Sequence, residues 1–246
     1  MRINAAKLFI NLTIISIVLF FFQSCSPSSK VVMVNKFQEK EIFGKKLAVN
    51  IQKQDVSIEE KYKLNSFLGD GDLPGLLANY VASTLSVRTK YLTTFSKVSI
   101  AAIQIGSGMD NLFYLQMYPS SNGGALQIRE PREGTFIPTG KDTVDYILFI
   151  DHFRIETDHN TESTTTPGPM GRGMGMSISI EPSMVKVYIK FQCYLWDNRA
   201  GRKAFYATIA NSINNGKVFS GSDLNSAIDK CLKDIFGDTP FKNYKD

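Results

Sequence analysis

Only two histidines occur in the chain, and each directly follows an aspartate: Asp151-His152 and Asp158-His159. A carboxylate next to an imidazole is the pairing that acid–base catalysis uses, because it orients the ring and supports its protonated form. Neighbouring residues in a strand point to opposite faces, however, and Asp151-His152 falls inside a strand-like run. The pair is therefore expected to be a polar strand feature, His159 a loop residue, and neither a catalytic dyad. A metal would need ligands from elsewhere in the chain. Gly171-Arg172-Gly173-Met174-Gly175 has glycines spaced as in a phosphate-cradling loop. Such a loop must follow a strand and open a helix, whereas here Pro169 precedes it and a β-like run follows. Asp70-Gly71-Asp72 lacks the remaining ligands of a calcium loop and is expected to form a turn ending in a helix cap. No nucleophile elbow is present. No catalytic residue, metal or dissociable cofactor is expected.

The three cysteines divide into two kinds. Cys193 lies on the apolar parity of a strand and Cys231 on the apolar face of a helix. If that helix packs on that sheet the two can meet, and an exported compartment permits a disulfide. The alternative is two separate buried thiols. Cys25 instead closes a segment that starts with Arg2 and Lys7 and continues as an apolar run, Leu8 to Phe22. That run has signal-peptide length and is short of the roughly 20 residues a spanning helix needs. Phe22-Gln23-Ser24-Cys25 resembles a bacterial lipoprotein signal, in which a small residue precedes a cysteine that becomes the acylated N-terminus.

The resemblance implies removal of residues 1–24 and a covalent lipid on Cys25. Each buried methylene contributes about 0.8 kcal/mol, and two or more acyl chains hold a protein stably to a membrane. Residues 25–40 are rich in Ser, Lys and Gln and read as a flexible tether. No acidic pair follows Cys25, so the expected place is the periplasmic face of the outer membrane.

The rest, residues 41–246, reads as one α/β domain. Val144–Ile155 is a nearly continuous apolar run, as a central strand requires. Met184–Trp196 alternates instead: Val185, Val187, Ile189, Phe191, Cys193 and Leu195 share one parity. Tyr188, Tyr194 and Trp196 share the other with Lys186 and Lys190, and aromatics interleaved with cations are typical of protein-contact surfaces. Residues 158–177, biased to Thr, Pro, Gly and Met, are expected to be a mobile loop joining these two strands, and could cover that face instead. Lys46–Ile51, Lys97–Ile105, Asn111–Tyr118 and Lys203–Ile213 are further strand candidates. Helical spacing marks Leu73 to about Arg88 and Leu224 to Ile235, the latter capped by Ser220 or Ser222 and stopped by Gly237 and Pro240. Residues 120–141 are expected to be a loop or irregular hairpin. The expected fold is α+β, with a mixed or antiparallel sheet of about five strands and two helices packed on one face.

Charge narrows the partners. The formal net charge is +5, and without Arg2 and Lys7 the 28 basic residues fall to 26 against 23 acidic ones. No basic stripe stands out, so nucleic acid is not an expected partner.

The order of elements, with Asp145-Tyr146-Ile147-Leu148 opening one strand and Leu195-Trp196-Asp197 leading to Gly201 after the next, carries a family resemblance. It is similar to the small α/β sandwich of outer-membrane lipoprotein activators of penicillin-binding proteins, the curli-secretion lipoprotein and the N-terminal domain of the Tol-Pal propeller protein. The resemblance spans residues 45–237 and implies a lipid-anchored, non-enzymatic adaptor or activator that binds a protein of the cell envelope. The alternatives are a subunit of an oligomeric outer-membrane export channel, which needs an amphipathic membrane hairpin, and an envelope hydrolase.

Overall fold

The computed structural model describes residues 29–34, 42–59, 61–101, 103, 110–119, 125–140, 143–159, 185–215 and 220–243. The expected signal segment, Cys25 and most of the 158–177 loop lie outside them. The strands are β1 (Lys30–Met33), β2 (Lys46–Ile51), β3 (Val56–Ile58), β4 (Lys97–Ile100), β5 (Phe113–Pro119), β6 (Ala125–Pro131), β7 (Tyr146–His159), β8 (Val185–Asp197) and β9 (Arg202–Asn215). The helices are α1 (Lys61–Leu68), α2 (Leu73–Leu92) and α3 (Gly221–Phe236).

The fold is α+β, built on a mixed sheet of seven strands ordered β1-β9-β8-β7-β2-β4, with β3 beside the later part of β7. β7, β8 and β9 form an antiparallel meander. β2 runs parallel to β7 and β4, and β3 parallel to β7. The sheet is larger than the five strands expected. β1 and β3 are only four and three residues long, too short for alternation to mark them. β1 also corrects the tether: Val31 and Val32 are half-buried, and the strand pairs antiparallel with β9 from Lys30 opposite Thr208.

Helices cover one face, three rather than two. On that side Leu47, Val49, Leu148, Ile189, Leu195 and Phe205 meet Leu77, Val81 and Leu85 of α2 and Leu224, Ile228 and Leu232 of α3 in one core. Each such side chain, fully buried, contributes about 1.5–3 kcal/mol. Ser220 caps α3 with a reciprocal box: its hydroxyl accepts from the Asp223 N–H, and the Asp223 carboxylate accepts from the Ser220 N–H at 2.9 Å. Asp72 stands at the start of α2, but its carboxylate turns to Lys53 Nζ at 3.0 Å instead of capping.

The opposite face is also covered, by a hairpin and not by the 158–177 loop or a partner protein. β5 and β6 pair as a separate hairpin across it. Phe113, Tyr118 and Ile128 of that hairpin, with Ile137 and Val144 of the following segment, bury Ala48, Ile147, Phe149, Tyr194 and Trp196 in a second core. The segment is fixed by Asn198, whose amide accepts from Ile137 N at 2.7 Å and donates to Ile137 O at 2.9 Å. The turn that carries Asn198 ends at Gly201, with φ of 60°, against Gly134. A Cβ there would lie 2.6 Å from the Gly134 carbonyl carbon, so the close approach requires glycine.

Candidate functional site

The chemistry of the described residues concentrates in a cleft of about 300 Å³. It opens where β2 ends, where β7 changes register and where β6 crosses above. In open α/β sheets the carboxyl ends of parallel strands are a common place for ligands, and β2 and β7 are parallel here.

A β-bulge shapes the cleft. Asp151 pairs with Gln192 and the ladder resumes at Arg154 opposite Lys190, leaving His152 and Phe153 against the single residue Phe191. Ile150 and Phe153, three positions apart, both enter the helix-side core. The residue at the extra position, His152, takes a φ of 51°, the only positive value at a non-glycine among the described residues. A left-handed backbone at such a residue costs about 1–2 kcal/mol. The bulge turns the imidazole back onto its neighbour, placing His152 Nδ1 2.8 Å from Asp151 Oδ1. This corrects the sequence expectation: strict alternation keeps the two side chains apart, and one inserted residue abolishes that alternation locally. The hydrogen bond that the His152 ring donates to the Asp151 carboxylate is the main cause that raises the histidine above its ordinary pKa, with partial burial opposing it.

Asp55 faces this pair from the single turn of 3₁₀ helix at Lys53–Asp55. Partial burial, then repulsion from Asp151, pushes its carboxyl up to about 6, while His152 and Arg129 pull the other way. Asn50 and Gln52 lie below, both engaged with residue 103: Asn50 Oδ1 accepts from Ile103 N at 3.0 Å and Gln52 Nε2 donates to Ile103 O at 2.7 Å. Phe149 and Tyr194 stack at 4.8 Å between centroids and form the aromatic floor. Tyr194 Oη donates to Arg129 O at 2.9 Å, tying the floor to β6. Among the described residues no group of three or more His, Cys, Asp or Glu side chains is placed to hold a metal ion.

The residues singled out from sequence are distributed as follows. Cys25 and Gly171–Gly175 lie outside the described residues, as does the side chain of His159. Cys193 and Cys231 meet the same core as free, buried thiols, one from β8 and one from α3. Burial, together with Cys231 nearby, pushes the Cys193 thiol well up, and burial pushes Cys231 up to about 12. Tyr194 and Trp196 are 1% exposed and present nothing to a partner, which corrects the expected contact face. They are covered by the hairpin and the segment that follows it, Trp196 Nε1 donating to Thr135 O of that segment at 3.3 Å. Tyr188 and Lys190 stay partly exposed; Lys190 Nζ sits 5.4 Å from the Tyr188 ring centroid and pairs with Glu156. Of Lys186 only the backbone in β8 is described.

Asp55 and Arg129 carried no sequence signal, because each belongs to a short polar stretch that tertiary contacts bring to the cleft. The bulge left a faint one: Asp151-His152 interrupts an apolar strand, with Ile150 and Phe153 at a spacing that alternation does not allow.

No protein-family model matches the chain, and no curated protein matches it. Among solved structures, a PelC dodecamer from Paraburkholderia phytofirmans in space group P6 is similar at 11% identity and a TM-score of 0.38, over 88% of this chain and 99% of that one. A PelC variant dodecamer from the same organism gives 12% and 0.36, over 84% and 95%. Likeness of that order carries no functional meaning.

Proposed function

We propose that the protein is a lipid-anchored module of the cell envelope, held to the periplasmic face of the outer membrane through Cys25, that binds another envelope protein. The observation that supports this reading is that β1, the first strand among the described residues, begins at Lys30, five residues after the lipoprotein-like Ser24-Cys25 step. Five extended residues span at most about 18 Å. Lipid on Cys25 would therefore hold the β1 edge close to the bilayer and leave the opposite edge of the sheet, β4, directed away from it. On that far side Phe43 and Tyr91 are each 70% exposed. They flank the end of α2, where Gly44 N donates to Thr94 O. Large apolar side chains left bare in this way suit contact with a protein partner.

Two measurements test the reading. Cys25→Ala is expected to move the protein from the membrane to the soluble fraction, and unchanged retention refutes the anchor. Photo-crosslinkers at Phe43 and Tyr91 in intact cells are expected to give one dominant envelope adduct. Adducts with further copies of the chain alone would favour the export-channel reading, and a lack of any adduct refutes this surface.

One observation favours the hydrolase reading, the contact between Asp151 and His152 beside a second carboxylate. Turnover of an envelope substrate that disappears in His152→Ala would establish it in place of the binding module.

A further inference from the structure

The strand ends that begin β2, β4 and β9 gather positive charge at one end of the fold. Lys46 stands beside Lys97 in the parallel pair of β2 and β4. From there the register runs on through Leu47 beside Tyr146, Tyr146 beside Asp197 and Asp197 beside Arg202. These positions form one row across five strands. Lys45, Arg199 and Arg202 line a concavity of about 250 Å³ within it, and Lys242 pairs with Thr93 at its margin. The six cations come from four separate stretches of chain, so no run of basic residues marks them in the sequence.

The acids of this end do not cancel that charge at the surface. Asp145 and Asp197 are 5% and 8% exposed and turn onto backbone donors. Asp145 Oδ2 accepts from Lys46 N at 2.7 Å, and Asp197 Oδ1 accepts from Arg199 N at 3.2 Å and Ala200 N at 3.0 Å. Arg199 meets Asp145 and Arg202 meets Asp197 through Nε, while the two arginine side chains stay 63% and 44% exposed. The buried carboxylates thus hold the guanidiniums from behind. Glu133 and Asp238 are the exposed acids nearby, against exposed Lys46, Lys97, Arg199, Arg202 and Lys242. A second, independent feature lies at the same end. Phe43, Tyr91 and Phe136 are the exposed Phe and Tyr side chains among the described residues. Phe43 and Tyr91 stand on the helix side, where Ser96 Oγ donates to Gly44 O at 2.6 Å. Phe136 stands on the hairpin side, between Gly134, whose N–H donates to Gly201 O, and Ile137, held by Asn198. Single exposed apolar residues need no explanation, but aromatics on both flanks of one charged row mark a contact surface.

We propose that this end of the domain docks an acidic, extended segment of the envelope partner. Its Asp or Glu carboxylates meet Arg199, Arg202, Lys46 and Lys97, and its apolar side chains meet Phe43, Tyr91 and Phe136. The proposal rests on the reading that the protein binds another envelope protein, and it supplies the chemistry of that partner. Guanidiniums held in place suit carboxylates, which they bind through paired N–H groups. Five strands set the row at about 19 Å, the length of about six extended residues. A bilayer suits this end less well, because the β4 edge is directed away from the membrane in the anchored protein.

The test is fluorescence anisotropy of a labelled, blocked hexapeptide, Glu-Phe-Glu-Glu-Phe-Glu, with the full chain in detergent, against the neutral counterpart Gln-Phe-Gln-Gln-Phe-Gln. The acidic peptide is expected to bind at least about tenfold more tightly, and the gap to narrow as salt rises from about 0.05 to 0.5 M. Lys46→Gln/Lys97→Gln, at two exposed positions, is expected to remove most of the gap, while Lys190→Met, outside the row, retains it. Equal binding of the two peptides overturns the proposal, as does an unchanged gap in the folded Lys46→Gln/Lys97→Gln chain. Two outcomes overturn it by naming another occupant. A Cys25→Ala chain that binds phosphatidylglycerol vesicles more tightly than the acidic peptide assigns this end to a lipid surface. Self-association that disappears in Lys46→Gln/Lys97→Gln assigns it to a second copy. In cells, a Phe43 crosslink to an envelope protein that persists unchanged in Lys46→Gln/Lys97→Gln overturns the acidic partner and leaves the binding reading standing. Absence of crosslinks from both Phe43 and Tyr91 overturns that reading itself.

Discussion

Lys203 Nζ lies 2.8 Å from Glu130 Oε2, joining the β5–β6 hairpin to β9 of the main sheet through an ion pair that is largely buried. The ammonium sits 4.4 Å from the Tyr118 ring centroid, and the Tyr118 hydroxyl donates to the same carboxylate. Burial pushes Glu130 upward and Lys203 downward, each towards its neutral form, against their mutual attraction. Removing one member of such a pair leaves the other unmatched, at a cost of about 3 kcal/mol, whereas replacing both is often close to neutral.

Lys203→Met is therefore expected to destabilise the fold by about 3 kcal/mol, and Glu130→Gln/Lys203→Met by clearly less. Urea unfolding followed by fluorescence measures both. Trp196 is the only tryptophan and lies beneath the hairpin, so a hairpin that lifts early in Lys203→Met would shift its emission to the red before the main transition. A loss in the double variant equal to the sum of the Glu130→Gln and Lys203→Met losses would mean that the pair is not coupled.

The cysteines give a count. With Cys25 replaced by alanine, Cys193 and Cys231 are expected to ignore a thiol reagent in the folded protein, because both are buried and burial holds them as unreactive thiols. Two equivalents should react in guanidinium. No reaction even after unfolding would show that the two are joined as a disulfide between β8 and α3.

Asp55 and His152 both make stability fall as pH rises, for different reasons. The folded Asp55 carboxyl titrates near 6 instead of 3.8, so between those values the folded state holds a proton that the unfolded chain has lost, and stability decreases with rising pH. His152 is also raised in the fold; its contribution is present below 6.5 and disappears as pH rises through the higher folded value. Thermal unfolding is expected to show a decline in Tm from pH 4 to 8. Asp55→Asn should raise Tm at pH 7 but not at pH 3.5. A profile unaltered by Asp55→Asn would contradict the upward shift that burial, then repulsion from Asp151, gives the Asp55 carboxyl.

The backbone at His152 predicts an ordering of variants. Asn tolerates a left-handed conformation and Val does not, so His152→Val is expected to cost about 1–2 kcal/mol more than His152→Asn. Equal costs would mean that the bulge relaxes on substitution.

The local sequence determined α2, α3 and the long strands, but not α1. Spacing at Leu77, Val81 and Leu85 and at Leu224, Ile228 and Leu232 is enough to bury one helical stripe, and Val187 to Leu195 alternates over enough residues to fix its inner face. Ser220 and Asp223 closed the start of α3 by a contact only three residues long. What lies beyond that range was decided in three dimensions. The partners of Tyr194 and Trp196 are Arg129 and Thr135, about sixty residues away, so nothing near them in the chain shows whether an aromatic face meets a hairpin or solvent. β1 and β3 are too short for a period to accumulate. At Asp151 and His152 a single inserted residue turned two side chains onto each other. Alternation is a property of regular strands, and the register shift that overrides it arises only when β7 is laid against β8.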